Sequence, residues 1–241
     1  LPAITDRACR YIEEQANGNE PFFLYMPLTS PHTPLAVTPA WKGRSGLNNL
    51  YADWVMETDA TVGRVLDALD RSGKADSTIV CFASDNGCAH YIGAKELEAQ
   101  GHFPSAHYRG YKADAWDGGH RIPFIVRWPG VTEPGSTCAQ LVCLTDLMAT
   151  CADLLGVRLP ENAGEDSVSL LSLLRGDGRP VRRHVVHHSI EGKFAIRDGA
   201  WKLVLCAGSG GWTAPQDKQA TRSGLPPVQL YDMASDPGEK V

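Results

Sequence analysis

RGYKADAWDGGHRIPF, residues 109–124, packs a lysine, two aspartates, a paired glycine, a histidine and two arginines into one run, then turns apolar. Its continuation, IPFIVRW (122–128), reads as a strand, so the charges sit at a strand mouth. Two more short apolar runs lie upstream, FFLYMPL (22–28) and TIVCFAS (78–84). Continuous apolar runs of this length are expected of strands buried on both faces. Helical periodicity fills the intervals. Residues 4–16 read as an amphipathic helix ended by Asn17-Gly18, and residues 47–72 as a second, through Leu50, Trp54, Val55, Val62, Leu66 and Leu69, closed by Gly73. Thr145 is placed to cap a helix from Asp146 to Leu155, stopped by Gly156. Strand, helix, strand, loop, strand, helix is the alternation of an α/β fold, with a mostly parallel sheet flanked by helices.

The pattern changes after about residue 180. FAIR-DG-AWKLVL (194–205) is two short strands around an Asp-Gly hairpin turn, and PVQLYDM (227–233) offers another strand. Residues 181–241 are therefore read as a small antiparallel α+β subdomain following an α/β core over 1–180. The Gly- and Ser-rich segment 207–226 reads as a loose loop.

Bulk properties exclude some classes. The chain has 241 residues, 43% hydrophobic and 21% charged, an ordinary globular composition. A formal net charge of -5 argues against nucleic-acid binding, which usually needs a basic face. No apolar run approaches a membrane span. LPAITDRACRYIEEQ (1–15) lacks the basic-then-apolar order of a signal peptide. The seven cysteines contain no C-x-x-C pair, which argues against a zinc knuckle and a complete disulfide framework. Cys81 and Cys151 are expected in the core; a Cys138–Cys143 or Cys9–Cys206 bridge stays open.

In open α/β sheets, ligands bind beyond the carboxyl ends of the strands. SPHTP (30–34) and SDNG (84–87) lie at two such ends, and the 109–124 run feeds a third strand. Asp85 and Asn86 offer adjacent hard oxygens, suited to Ca²⁺ or Mg²⁺ and not to zinc. Each fragment has a plainer reading as well. Asp85-Asn86-Gly87 fits an Asx turn, His32 a backbone hydrogen bond, Lys112 a solvated charge, and Arg121 an ion pair with Asp114 or Asp117.

Taken in order, SPHTP (30–34), the helix with Glu57, Asp59 and VGRVLDAL (62–69), TIVCFASDNG (78–87), RGYKADAWDGGHRIPFIVRWPG (109–130) and QLYDMASDPGEKV (229–241) form a pattern. It resembles the sulfatase family, arylsulfatase type, of the alkaline-phosphatase-like superfamily. Asp117 departs from it, since the family more often has Glu there. The resemblance implies that Asp85 and Asn86 ligate a divalent cation, Ca²⁺ before Mg²⁺, that Lys112 contacts a sulfate oxygen, and that His32 helps the leaving alcohol depart. His90, His102, His107 and His120, in or beside the 85–120 loop, become candidates for the substrate rim. Arg121 is expected to hold the loop down.

The resemblance also shows a gap. The family's nucleophile is a cysteine converted to formylglycine within Cys-x-(Pro or Ala)-x-Arg, and none of the seven cysteines begins that motif. The chain is therefore expected to be the carboxyl-side part of a longer sulfatase, with formylglycine and further metal ligands upstream. Alone it is expected to bind metal weakly, to lack turnover and to expose a strand edge and an apolar face. The implied substrate is a sulfated small molecule or sulfated carbohydrate, and the implied location periplasmic or secreted. A phosphoesterase or phosphonate hydrolase of the same superfamily, or a non-catalytic carbohydrate-binding relative, stay open.

Overall fold

A computed structural model describes residues 1–240; Val241, the last residue of the 229–241 segment, lies outside the described residues. The chain forms two compact units, Leu1–Ile79 with Lys95–His102, and Val80–Ala94 with Phe103 onward.

The first unit is built on two helices. Helix α1, Pro2–Ala16, begins on a proline, whose missing N–H is an orphan of the first turn in any case. It buries Thr5, Ala8, Cys9 and Ile12, the three-and-four spacing of one helix face, and packs against α2, Leu50–Arg71. The Asn49 side chain caps α2 by accepting from the N–H groups of Tyr51 and Ala52. Two buried acids of α2 turn back to the preceding loop. Asp53 accepts from the Gly43 and Ser45 N–H groups at 2.7 and 2.9 Å, and Glu57 from Thr38 N–H at 3.0 Å. Thr58 donates to the buried Ser30 hydroxyl at 2.8 Å. The loop carrying SPHTP is thereby stitched to one helix face. Its partner segment differs from expectation: residues 22–28 form no strand, and Phe23 and Tyr25 are 79% and 77% exposed. The run is thus not a strand buried on both faces.

The second unit holds both sheets. Strand β1, Val80–Ala83, pairs antiparallel with β2, Phe124–Arg127, with Val80 opposite Arg127 and Ala83 opposite Phe124. Strands β3 (His184–His188), β4 (Phe194–Asp198), β5 (Trp201–Val204) and β6 (Gln229–Asp232) form an antiparallel sheet in that order. No parallel pair occurs among the described residues, so the mostly parallel sheet expected from the element alternation is not what these residues form. The connection explains this for β1 and β2. A parallel neighbour needs a crossover, usually a long helix. Residues 84–123 instead contain a 3-10 turn, His90–Ile92, and the short helices α3, Ala94–Ala99, and α4, Asp117–His120.

Three further helices, α5 (Asp146–Leu154), α6 (Leu171–Leu174) and α7 (Asp217–Arg222), complete the unit. Thr145 makes no side-chain cap at α5. The neighbouring Asp146 carboxylate, fully buried, takes over the region, accepting from Cys143 N–H, Val168 N–H and the Arg182 guanidinium. Segment 207–226 is not loose: it contains α7, and Ser209 is fully buried. All seven cysteines are free, and Cys81 and Cys151 are exposed instead of packed in the core.

The core of this unit joins the opening run to the C-terminal sheet. Ala115 and Trp116 pack with Ala195, Val204, Cys206, Tyr231 and Met233. Alternation along β5 sends Lys202 and Val204 inward, while Trp201 points out, 54% exposed. The lysine-bearing loop therefore lies on the inner face of the four-stranded sheet.

Candidate active site

Gly87 and Gly118 bring two separate stretches into backbone contact. Gly87 N–H donates to Gly119 O at 2.9 Å, Lys112 N–H to Cys88 O at 2.7 Å, and Gly118 N–H to Arg109 O at 2.7 Å. The approach admits no side chains. A Cβ on Gly87 would lie 1.8 Å from Gly118 O, and one on Gly118 would lie 2.1 Å from Gly110 O. The paired glycine is therefore a contact surface as well as a turn. Asp85-Asn86 and Lys112 thus meet within one small region of the second unit.

The acid–amide pair presents hard donors. Asp85 is exposed, and Asn86 commits its Nδ2–H to Gly87 O at 2.9 Å, which orients Oδ1 away from that bond. Two neighbouring oxygens of this kind fit one side of a Ca²⁺ site, which takes six to eight. Among the described residues no group of three or more His, Cys, Asp or Glu could hold a metal ion.

His32 lies in the first unit. It is exposed, and its Nδ1–H donates to Thr33 O at 2.7 Å. That bond fixes the tautomer and leaves Nε2 for proton transfer. His102 also belongs to the first unit and is exposed. His90 is exposed and starts a single 3-10 turn, His90–Ile92, while His107 stacks on Tyr108 at 4.2 Å between ring centroids. His120 is placed differently. Its ring lies 4.0 Å from that of His187, and its Nε2 is buried without a partner. Burial, with the charges of His187 and Lys202 nearby, pushes His120 down to about 3. Burial and Lys202 push His187 down to about 4. Both imidazoles are neutral near pH 7.

The other side of the lysine loop is held by a buried ion cluster that sequence reasoning missed. Lys202 Nζ lies 2.6 Å from Asp117 Oδ1 and 2.7 Å from Glu239 Oε1. Glu239 Oε2 accepts from Asp117 N–H at 2.7 Å, at the first residue of α4. Lys202 and Glu239 are fully buried. Burial raises the Asp117 carboxyl, but the Lys202 ammonium outweighs it and leaves Asp117 below the ordinary range. Burial raises Glu239, Lys202 offsets only part of that, and Asp117 adds to the rise. The next proton taken up by the pair therefore belongs on Glu239. Arg109 closes the cluster, lying 3.7 Å over the Trp116 ring and donating to Glu239 O and the Tyr231 hydroxyl at 2.8 and 3.0 Å. Arg121 stacks 4.6 Å over Tyr108 and stands 4.0 Å from Asp117. Asp114 pairs with neither arginine. It accepts from Tyr111, Trp212 and Thr213 N–H at 2.9, 3.0 and 3.1 Å.

The Sulfatase family model matches residues 2–157. An N-acetylgalactosamine-6-O-sulfatase of Bacteroides thetaiotaomicron is 36% identical over 98% of the chain. The chain belongs to the sulfatase family. A steryl-sulfatase of Mus musculus is 33% identical, also over 98% of the chain. Among solved structures, a Bacteroides thetaiotaomicron sulfatase studied in the metabolism of multiple glycosaminoglycans superposes with a TM-score of 0.83 at 33% identity, covering 98% of this chain and 49% of that one. Ps i-CgsB in complex with k-i-k-neocarrahexaose superposes at 0.77 with 26% identity, covering 100% of this chain and 49% of that one. This sulfatase chain spans less than half of the two curated relatives, 46% and 40% of their lengths. Its two antiparallel sheets and helices are thus part of an alkaline-phosphatase-like fold.

Proposed function

We propose that the whole protein hydrolyses sulfate esters of carbohydrates to an alcohol and inorganic sulfate. The observation that carries the reading is the backbone junction between Asp85-Asn86-Gly87-Cys88 and the Lys112–Gly119 stretch. The backbone bonds between these two stretches support a reading in which the hard-donor pair and the Lys112 ammonium serve one site. Lys112 addresses a sulfate oxygen, and His32, in its protonated form with Nδ1–H held by Thr33 O, gives the Nε2 proton to the leaving alcohol. Asp85 and Asn86 hold one side of a Ca²⁺, with Mg²⁺ second; the cation supplies positive charge for the sulfate group. No cysteine in these residues begins the formylglycine motif, so the nucleophile comes from outside them, and this chain alone is inactive. The division into 1–180 as core and 181–241 as C-terminal subdomain goes with this reading. So do export and His90, His102, His107 and His120 as substrate-rim residues in or beside the 85–120 loop. Carbohydrate substrates are favoured by the sulfatase of N-acetylgalactosamine 6-sulfate among the relatives and by the neocarrahexaose-bound neighbour.

The test compares a sugar sulfate and an aryl phosphate as substrates of the whole protein, with and without chelator. Sulfate turnover is expected to exceed phosphate turnover and to fall with chelation. His32→Ala and Lys112→Ala are each expected to reduce kcat/KM by about a hundredfold or more, the scale of losing an acid–base or charge-stabilising group. Preference for phosphate, or variants within a few-fold of wild type, refutes the reading.

A further inference from the structure

Three aromatic rings gather on segments bonded to the loop that carries Lys112, from positions up to 122 residues apart in the chain. His90 and Tyr91 follow Cys88, whose carbonyl accepts Lys112 N–H. Trp212 comes from the 207–216 segment. Its ring centroid lies 6.0 Å from His90 and 6.1 Å from Tyr91. Tyr91 and Trp212 are tilted 45° to one another and are 46% and 38% exposed. The rings form a shallow open corner, with an imidazole on its edge.

The backbone beneath Trp212 is built to hold it there. Asp114, fully buried two residues after Lys112, accepts the Trp212 and Thr213 N–H groups. Ala115 N–H donates to Ser209 O at 2.7 Å. A Cβ on Gly211 would stand 2.4 Å from Ala113 O and 2.7 Å from Asp114 Oδ1, so only glycine allows this approach. Asp217 accepts from Gly208 and Gly210 N–H at 3.0 and 3.2 Å, fixing the far side of the loop. A buried carboxylate and a glycine contact thus tie the backbone of an exposed indole to Ala113 and Asp114, the residues that follow the lysine that would address an anion. Large exposed aromatics ordinarily find partners in a core or at a binding surface.

We infer that Trp212, with Tyr91 and His90, is a stacking platform for the pyranose ring of a sulfated hexose or hexosamine whose sulfate reaches Lys112. The inference rests on the sulfatase reading. A pyranose fits because one face carries C–H groups, which suit the negative face of an indole, while its hydroxyl edge meets polar atoms such as the His90 nitrogens. A sterol would instead need apolar surface extending well beyond three rings. Trp212 is thus a specificity residue and plays no part in bond cleavage.

The experiment uses the whole protein, N-acetylgalactosamine 6-sulfate and a steryl sulfate as substrates, and inorganic sulfate as inhibitor. In Trp212→Ala, KM for the sugar is expected to rise by roughly three- to tenfold, the scale of one lost aromatic contact, with kcat within about twofold. The inhibition constant of inorganic sulfate, which occupies only the anion end, is expected to stay at its wild-type value. Trp212→Phe, which keeps a ring and removes the folding risk, is expected to recover most of the KM. An unchanged sugar KM overturns the platform. So does an inhibition constant that rises in step with KM, because Trp212 would then act through the Lys112 loop. Turnover of steryl sulfate with no turnover of the sugar overturns the ligand class and leaves sulfatase activity standing. A wild-type protein that cleaves no sulfate ester removes the sulfatase reading, and the platform falls with it.

Discussion

Replacing Lys202 with methionine tests the ion cluster that holds the lysine loop. Methionine keeps most of the side chain's volume and removes the ammonium. In the native protein that ammonium stands 2.6 Å from Asp117 and 2.7 Å from Glu239, with no exposure of its own. Its loss leaves two carboxyl groups sharing a buried site with no cation between them. Glu239, already raised by burial, is the group that takes up a proton in response, so Asp117 keeps its charge with only the half-exposed Arg121 guanidinium at 4.0 Å and the more distant field of Arg197. Removing one partner of a buried pair costs about 3–5 kcal/mol. For a chain of this size that is a drop in melting temperature of roughly 10 °C. Urea unfolding at pH 7 measures the change. The double variant Lys202→Met/Glu239→Gln separates charge from packing, since it removes one of the two carboxylates that lost their partner. It is expected to be less destabilised than the sum of the single changes by more than about 1 kcal/mol, the size of coupling found between contacting groups. A loss below about 1 kcal/mol in Lys202→Met, or additive effects in the double variant, refutes the reasoning; the first value is that of a solvated ion pair.

Acid is expected to weaken the second unit before its carboxylates titrate. His120 and His187 are held at about 3 and about 4, below the 6.5 of an exposed imidazole. The unfolded chain therefore binds more protons between these values, and stability present above about pH 6.5 is lost as pH falls. Each imidazole contributes about 2 kcal/mol of that loss between pH 6.5 and 5, while Glu239, raised in the fold, works in the opposite direction. Urea midpoints at pH 7 and 5 should differ accordingly, with a smaller difference in His187→Gln; equal midpoints contradict the burial of the pair. Glycine substitutions should split by geometry. Gly87→Ala, with Gly118 O at 1.8 Å, is expected to cost more than about 3 kcal/mol because backbone must move on both sides. Gly63→Ala, inside α2 with nothing within 4 Å, is expected to gain about 0.5–1 kcal/mol. Thermal melts of the two variants that shift in the same direction would contradict this.

Local patterns carried much of the fold. The periodicity of α1 and α2 and the Asp198-Gly199 turn of the β4–β5 hairpin report interactions between near neighbours in sequence, and the structure contains each. The misreadings concern partners far away. Residues 22–28 have the composition of a buried strand, but composition does not say whether another strand lies alongside, and Phe23 and Tyr25 stand exposed. HVVHH (184–188) alternates too weakly to declare itself as β3, because its inward His187 is polar. The Asp117–Lys202–Glu239 cluster joins positions 37 to 122 residues apart and has no motif. One signal was present: Lys202 occupies the inward register of β5 beside Val204, where a charge needs a buried counter-charge. Asp114 likewise sits two residues from Lys112 in a run that looks uniformly solvated, and only the fold shows it accepting from another loop.

The two aspartates of the opening run divide the work of fixing one lysine. A cation that acts on a developing charge is effective in proportion to how little it must reorganise, so the backbone carrying it has to be held independently of the ligand. Lys112 N–H is tied to Cys88 O on one side. Downstream, Asp114 anchors the loop to the segment ending in Trp212, and Asp117 anchors α4 to β5 and Glu239. These anchors reach different parts of the chain, and neither uses the Lys112 side chain. The Asp117 cluster holds α4, whose Gly119 O accepts Gly87 N–H beside the acid–amide pair. This arrangement accounts for two charged residues beside a strand mouth being buried, Asp114 and Asp117, while Lys112 stays partly open.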